Sequence, residues 1–379
     1  MELRSKTEPS AWMEVDLRQF RANWEVIARS PEPRQVGTEI AYVIKDDAYG
    51  HGARELAKVA LHNGAQMLAV ASVAEGVDLR EHGIEAPILV LAERSLNEYA
   101  VCAENNLAPC VGSHAGFEEI KKLRATSGRP LPIHLKIDTG MSRFGFRWSS
   151  AEELIEALRD LPNATIAGVM SHFAMSDELD KSFARLQLSR FNEVLSKLLS
   201  AGISPRYKHI CNSGGFLDLP EAHFNLVRIG ILPLGVYPSK VCHRLEGIAP
   251  IMSVKSRLAA IKELQPGDHV GYGMRFTADK KMPLGVIPIG YGLGYPRVRN
   301  QGHVLIRGRR APIIGGVSMD AITVDLSAIP EVRLWDTVTL LGREDAEEIS
   351  IHDLAALKNS VSYDAMVSWS ARLPRRYLK

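Results

Sequence analysis

Eight times in its first 245 residues this chain passes from a short apolar run into an amphipathic stretch. The apolar runs predict strands at Ile40–Lys45, Met67–Ser72, Ala86–Leu91, Leu107–Gly112, Pro132–Asp138, Ile166–Phe173, Tyr207–Asn212 and Asn225–Ile229. Helical spacing fills most of the intervals. Across Lys181–Ala201, Phe183, Leu186, Phe191, Val194, Leu195 and Leu198 recur at three- and four-residue steps. Gly64, Gly83 and Gly202 sit where helices should stop. This alternation predicts an α/β fold, a (β/α)8 barrel of the TIM type over 1–245. An open doubly wound sheet fits less well, because the first strand is not followed by a Gly-x-Gly-x-x-Gly turn. From 246 to 379 the texture changes to alternating runs (Met252–Ile261, Leu284–Ile289, His303–Ile306, Ile313–Leu326, Asp336–Leu341) broken by glycine-rich turns. A second, mostly-β domain is expected there, with a short helix at Ile351–Lys358 and a paired final segment.

Composition narrows the class of function. Of 379 residues 46% are hydrophobic, and acidic and basic counts nearly cancel at a formal +2. No basic block of the kind a nucleic-acid partner needs stands out; Arg375 and Arg376 read as a solvated chain end. The first ten residues lack the apolar core of a signal peptide, and no later run has the length of a membrane span. Cys102, Cys110, Cys211 and Cys242 form no closely spaced pair and no metal motif. The expectation is a reduced, cytoplasmic protein with no metal, no nucleic acid and no membrane partner.

In a barrel of this kind the site forms at the carboxyl ends of the strands. Those positions hold Lys45 after the first strand, His172 after the sixth, Asn212 and Ser213 after the seventh, and Arg228, Gly230 and Ile231 after the eighth. Each alone has an ordinary structural reading: a snorkelling lysine, a buried histidine, a barrel-end ion pair. Together they suggest a lysine facing a phosphate cradle built from the last two loops, which suits an aldehyde cofactor carrying a phosphate.

Here the sequence resembles the alanine racemases. The segment Val43-Ile44-Lys45-Asp46-Asp47-Ala48-Tyr49-Gly50-His51-Gly52 is similar to their cofactor-attachment signature. The resemblance continues, in order, through His134-Leu135-Lys136-Ile137-Asp138-Thr139-Gly140-Met141-Ser142-Arg143, Ser171-His172-Phe173-Ala174, Cys211-Asn212-Ser213 and Val227-Arg228-Ile229-Gly230-Ile231. It ends on Gly271-Tyr272-Gly273, Ile289-Gly290-Tyr291-Gly292, Ser318-Met319-Asp320 and Val361-Ser362-Tyr363-Asp364.

This resemblance implies a homodimeric isomerase with active sites shared between subunits, interconverting L- and D-alanine to supply D-alanine for peptidoglycan. It implies pyridoxal 5'-phosphate as cofactor, held by Lys45 as a Schiff base. Tyr49, Ser213, Gly230, Ile231 and Tyr363 would bind its phosphate, with Asn212 beside them. His172 would lie against the ring, and Arg228 would face the ring nitrogen with His209 behind it. Tyr272 would be the second base, reaching the partner's barrel near that subunit's arginine at position 143; Met319, Asp320 and Tyr291 would complete the substrate side with Arg143. Lys136 matches a position that is carbamylated in many relatives. Two residues depart from the family pattern. Asp46 replaces a small residue and is expected to point outward, and Ile229 replaces a proline, which loosens the turn without removing its N–H donors.

The chemistry explains the residue types. Racemisation takes the Cα proton from one face and returns one to the other, so two bases are needed. Free lysine and tyrosine titrate at about 10.4 and about 10, and a tyrosine base working at neutral pH needs ~4 kcal/mol of help, for which a fixed guanidinium is the obvious source. Other readings are a racemase of another small amino acid such as serine, a decarboxylase of the same architecture, a non-catalytic pyridoxal-phosphate carrier and a sugar aldolase. The second domain argues against the carrier, and the late Gly-Tyr-Gly and Ser-Met-Asp segments argue against the decarboxylase and aldolase.

Overall fold

The computed structural model describes residues 8–30, 37–123, 130–161 and 164–379. The first seven residues of the segment read above as lacking a signal core lie outside the described residues. The chain divides into two compact units. One comprises Phe20–Ala48 and Ala53–Ala249; the other comprises Met1–Gln19, Tyr49–Gly52 and Pro250–Lys379.

The larger unit is the barrel. Strand β1 (Ala11–Asp16) lies outside it, and its staves are β2 (Glu39–Val43), β3 (Met67–Val70), β4 (Ile88–Val90), β5 (Leu107–Val111), β6 (Leu131–Asp138), β8 (Ala164–Met170), β9 (Tyr207–His209) and β10 (Leu226–Ile229). A two-residue strand, β7 (Phe146–Arg147), pairs on β6 outside the ring. The staves run parallel in the order β10-β2-β3-β4-β5-β6-β8-β9. The ladder is interrupted only between β9 and β10, where the Arg228 N–H donates to the Cys211 carbonyl at 3.1 Å and nearly closes the ring. Every expected strand is present; most end one to three residues before the expected run does, while Leu131–Asp138 and Leu226–Ile229 reach the expected last residue.

Register stacks the interior in layers. Cys110, His134, Gly168 and Tyr207 are cross-strand neighbours, and two residues further on lie Lys136, Met170 and His209. Side chains alternate across a strand, so residues two apart point the same way. Polar groups therefore recur in the barrel's centre where Val, Ile and Leu usually fill it.

The long helix runs from Ser182 to Ser200, but its buried face differs from the apolar stripe expected. Leu186 is exposed, and Gln187 is buried in its place. The reason is hydrogen bonding. Gln187 donates to the Thr139 hydroxyl and the His172 carbonyl and accepts from the Ala174 N–H, so its burial is compensated.

In the smaller unit, β1 lies between β11 (Met252–Arg257), to which it is antiparallel, and the final strand Arg375–Leu378, to which it is parallel. The first strand of the chain is thus an interior strand of a seven-stranded sheet otherwise drawn from the last 130 residues. The run expected over Ile313–Leu326 is a strand only at Ile322–Asp325. Gly315, at φ 74, and the loop through Met319 break it. Helices Ile351–Leu357 and Ser362–Val367 follow. Among the described residues all four cysteines are free and buried, and no helix is long and apolar enough to cross a membrane.

Val15 is fully buried and registers with Met252 on one side and Tyr377 on the other. Val15→Asp should therefore destabilise the full chain by on the order of 3 kcal/mol or more, since a carboxylate there has no partner. Chemical denaturation of the variant would detect this, and an unchanged midpoint would contradict the interior position.

Candidate active site

Lys45 stands just beyond β2, at the start of an unusual turn. Asp46, Asp47, Ala48 and Tyr49 have φ of 53°, 54°, 54° and 52°. Four consecutive non-glycine residues in the left-handed region cost about 1–2 kcal/mol each, so surrounding bonds must hold them. Glu75 supplies one: its Oε1 accepts the Asp46 N–H at 2.6 Å, while its Oε2 accepts the Ala71 and Ser72 N–H groups. The Asp47 carboxylate accepts from the Ala53 N–H at 2.8 Å. Glu75 escaped the reading of the sequence, although Ser72-x-x-Glu75 carries the signature of the capping box it forms. Its reach across to Asp46 has no sequence signal. Asp46 is exposed, as expected of an outward carboxylate, but its Oδ2 also lies 3.6 Å from the Lys45 ammonium.

On β10, the stave paired with β2, Arg228 is 2% exposed. Its Nη1 donates to His209 Nδ1 at 2.7 Å, and its Nη2 faces the Ser171 carbonyl at 2.8 Å, the Ile210 carbonyl at 3.1 Å and His172 Nδ1 at 3.1 Å. No carboxylate neutralises it among the described residues. Burial lowers its pKa to about 10, which leaves it charged at neutral pH. A guanidinium only donates, so His209 and His172 must accept through Nδ1 and carry their hydrogens on Nε2. Burial, and then the Arg228 charge, hold both imidazoles well below their usual range, and hence neutral. The Arg228 Nε–H has no partner among the described residues.

Lys136 is 8% exposed and lines a cavity of about 10 Å³ with Asp138, Arg143, Ser171 and His172. Burial, reinforced by the Arg228 and Arg143 charges, lowers its amine to about 7. Arg143 itself is exposed, on a loop whose root is pinned by the Asp138 carboxylate accepting from the Gly140 and Ser142 N–H groups.

After β9, Asn212 and Ser213 take different roles. The Asn212 carbonyl oxygen accepts from the Gly215 N–H and the Ser176 hydroxyl, so this end of the side chain is engaged in capping. The Ser213 hydroxyl accepts from the Gly230 N–H at 3.1 Å, bringing the loops after β9 and β10 together with Ile231 next in line. Ile229, which stands where the family pattern has a proline, is a buried β10 residue.

The remaining expected residues lie in the smaller unit. Tyr49 and Tyr363 meet with ring centroids 6.2 Å apart. Gly50 approaches Met366 so closely that a Cβ would lie 2.9 Å from its carbonyl oxygen, and Arg375 Nε donates to the Gly50 carbonyl. Two motifs distant in sequence form one piece of structure: the Tyr291 and Gly292 N–H groups donate to the Ser318 and Met319 carbonyls at 3.1 and 2.8 Å. A Cβ on Gly290 would fall 2.1 Å from the Ser318 oxygen, which explains glycine there. Gly271 packs against the Gly316 backbone, so the Tyr272 loop joins the same assembly. Tyr272 is 83% exposed and Met319 55%, with Asp320 and Met274 exposed as well.

A parallel barrel with a lysine and a buried guanidinium at its carboxyl face, in a chain that adds a β-rich unit, is the architecture that the resemblance to amino-acid racemases implied. Comparison with known proteins bears that resemblance out. Residues 15–238 match the alanine racemase N-terminal domain, and residues 251–377 match the alanine racemase C-terminal domain. The alanine racemase of Methanococcus maripaludis is 37% identical over 369 residues, covering 97% of this chain and 98% of that one. That of Carboxydothermus hydrogenoformans is 39% identical over 373 residues, covering 97% and 99%. Among solved structures, the alanine racemase of Bacillus anthracis with bound L-Ala-P superposes with a TM-score of 0.91 at 34% identity, covering 98% of this chain and 96% of that one. The chain belongs to the alanine racemase family and is an isomerase.

The Lys136 environment has a measurable consequence. Unfolded lysine titrates at about 10.4 and folded Lys136 at about 7, so between these values the unfolded chain binds the extra proton and stability rises with pH. Lys136→Met removes this titration. In carbon-dioxide-free buffer the variant's stability advantage over the parent should be largest below about pH 7 and shrink towards pH 10. A gap independent of pH in denaturant titrations would mean that Lys136 is not held neutral.

Proposed function

We propose that this protein interconverts L- and D-alanine by two-base proton transfer at Cα, with pyridoxal 5'-phosphate as its cofactor and with each site completed by a second copy of the chain. The observation that carries the reading is Arg228: a buried, charged guanidinium with neutral acceptors on both Nη atoms and its Nε–H left over. That donor suits an unprotonated ring nitrogen, and it does not release its proton at neutral pH. Lys45 would hold the aldehyde, and Ser213 with the Gly230 and Ile231 N–H groups, Tyr49 and Tyr363 would hold the phosphate, Asn212 keeping their loop in shape. When bound, the cofactor withdraws electrons from the substrate Cα and so makes its proton removable.

The protein's own part is to move that proton. The Lys45 amine serves the face from which the D enantiomer loses its proton, and the Tyr272 hydroxyl serves the opposite face. His172 presents its Nε2–H beside the ring, since its Nδ1 is committed to Arg228. Arg143 meets the substrate side together with Met319, Asp320 and Tyr291. The neutral fraction of Lys136 can add carbon dioxide, forming a carbamate with release of a proton. That anion would answer the charges of Arg143 and Arg228, which depress the lysine as an amine.

The exposed Tyr272, Met274 and Met319 on one joined set of loops support assembly through this surface, because large apolar side chains so exposed usually meet a partner. A homodimer in the cytoplasm, making D-alanine for peptidoglycan, is the context this activity fits. Relative rates on a panel of small L-amino acids, serine included, test the choice of alanine.

Lys45→Ala should abolish racemisation and prevent borohydride from fixing the cofactor to the chain; fixation at another lysine would move the attachment point. Mixing inactive Lys45→Ala with inactive Tyr272→Phe should restore activity in heterodimers, where both defects can segregate to one site. No recovery after demonstrated subunit exchange would exclude sharing.

Tyr272→Phe removes one hydroxyl. Exchange of α-deuterium from L-alanine should fall by roughly 10³–10⁴. Exchange from D-alanine should persist with retention, since Lys45 can take and return a proton on its own face. Equal losses for both enantiomers would remove Tyr272 from its role as the base of one face.

A further inference from the structure

Behind His209 the hydrogen-bonded chain continues. His209 Nε2 lies 2.8 Å from His134 Nδ1 in the buried centre of the barrel. Arg228 commits His209 to carrying its hydrogen on Nε2, so His209 donates and His134 accepts. Two neutral imidazoles are then aligned head to tail, the His209 lone pair on the guanidinium and the His134 lone pair on the His209 N–H. Such a chain stabilises a buried cation without cancelling its charge, which a carboxylate would do.

The fold makes room for this second imidazole in three ways. The register of β6 against β8 shifts between Ile133 and His134, so that Ile133 pairs with Ile166 and His134 with Gly168, leaving Ala167 as the extra residue of a bulge. Gly168 clears the space: a Cβ there would fall 2.3 Å from His134 Nδ1. Beyond the glycine the His134 ring stacks on Tyr207, with centroids 5.9 Å apart and planes 15° from parallel.

We infer that His134 is a positioning residue for the racemase, acting through His209 to orient Arg228 and preserve its charge towards the cofactor ring. The inference rests on the reading that Arg228 faces that ring. An ordinary packing role predicts something different, because packing depends on ring volume and not on the acceptor nitrogen.

Two substitutions in the full chain separate these possibilities. His134→Asn is smaller but places an oxygen where Nδ1 stood; His134→Leu keeps more of the volume and removes the acceptor. Binding of pyridoxal phosphate to cofactor-free protein, followed by fluorescence quenching, should weaken about tenfold or more in His134→Leu, as for lost supporting bonds at other sites, and stay within about threefold of the parent in His134→Asn. The fraction of turnovers ending in transamination should rise in the leucine variant alone. Equal impairment of both, or a leucine variant as good as or better than the asparagine one, overturns the inference. Should the leucine variant fail to fold, nitrogen-15 NMR of the parent's imidazoles decides: His209 must carry hydrogen on Nε2 only, and a hydrogen on its Nδ1 overturns the relay. If instead the reading of Arg228 is at fault, Arg228→Lys will bind the cofactor as tightly as the parent, whatever the His134 variants do.

Discussion

The burial of Arg228, which has no carboxylate partner among the described residues, organises the barrel. A guanidinium taken out of water costs several kcal/mol unless its donors are matched, and an acidic partner is the usual remedy. Here the Ser171 and Ile210 carbonyls and the Nδ1 atoms of His172 and His209 provide the acceptors instead. The charge is therefore solvated by the protein but not neutralised. Its field reaches outward: it is the second cause, after burial, of the depressed titration of His172, His209 and Lys136. Burial and this one charge together lower the titration of all three neighbours.

That choice accounts for features which would otherwise be costly. Carbonyls at the ends of β8 and β9 must point at the guanidinium, and the near-closure of the ring through the Arg228 N–H and the Cys211 carbonyl brings the strand ends into reach. The buried Gln187 holds the His172 carbonyl and the Thr139 hydroxyl, joining the loop after β8 to the loop that carries Arg143. After the neighbouring stave β2, the left-handed turn that follows Lys45 stores several kcal/mol of conformational strain, opposed by Glu75. Strain of this kind concentrates where a side chain must be presented in one orientation.

The smaller unit solves a different problem. Beside the exposed Asp320 its loops carry exposed Tyr272 and Met319, large side chains that a free surface does not favour. Close backbone approach at Gly271, Gly290 and Gly292 knits those loops together, so the exposed side chains stand on a rigid base. Rigidity would serve Tyr272 in the role of base proposed for it, because small misplacements cost large factors in rate.

Much of this was legible in the sequence. The eight apolar runs specified the barrel because strand and helix periods differ, and each run of buried residues can serve only one of them. Lys45, His172, Ser213 and Arg228 could be picked out because strand-end position follows from that periodicity. Three kinds of information were not available. Partnership across strands was one: His134 accepts from His209 only through a register shift and an empty Gly168, and neither leaves a local pattern. Backbone strain was another, since Ala48 and Tyr49 have no intrinsic preference for positive φ, and the turn they belong to is braced at Asp46 by Glu75, a residue far along the chain. The third was the first strand, Ala11–Asp16, which was not among the expected runs and lies between β11 and the last strand of the chain. Local periodicity is a property of neighbours in sequence and so determined the elements; register, charge compensation and strain depend on neighbours in space, and only the folded structure decided them.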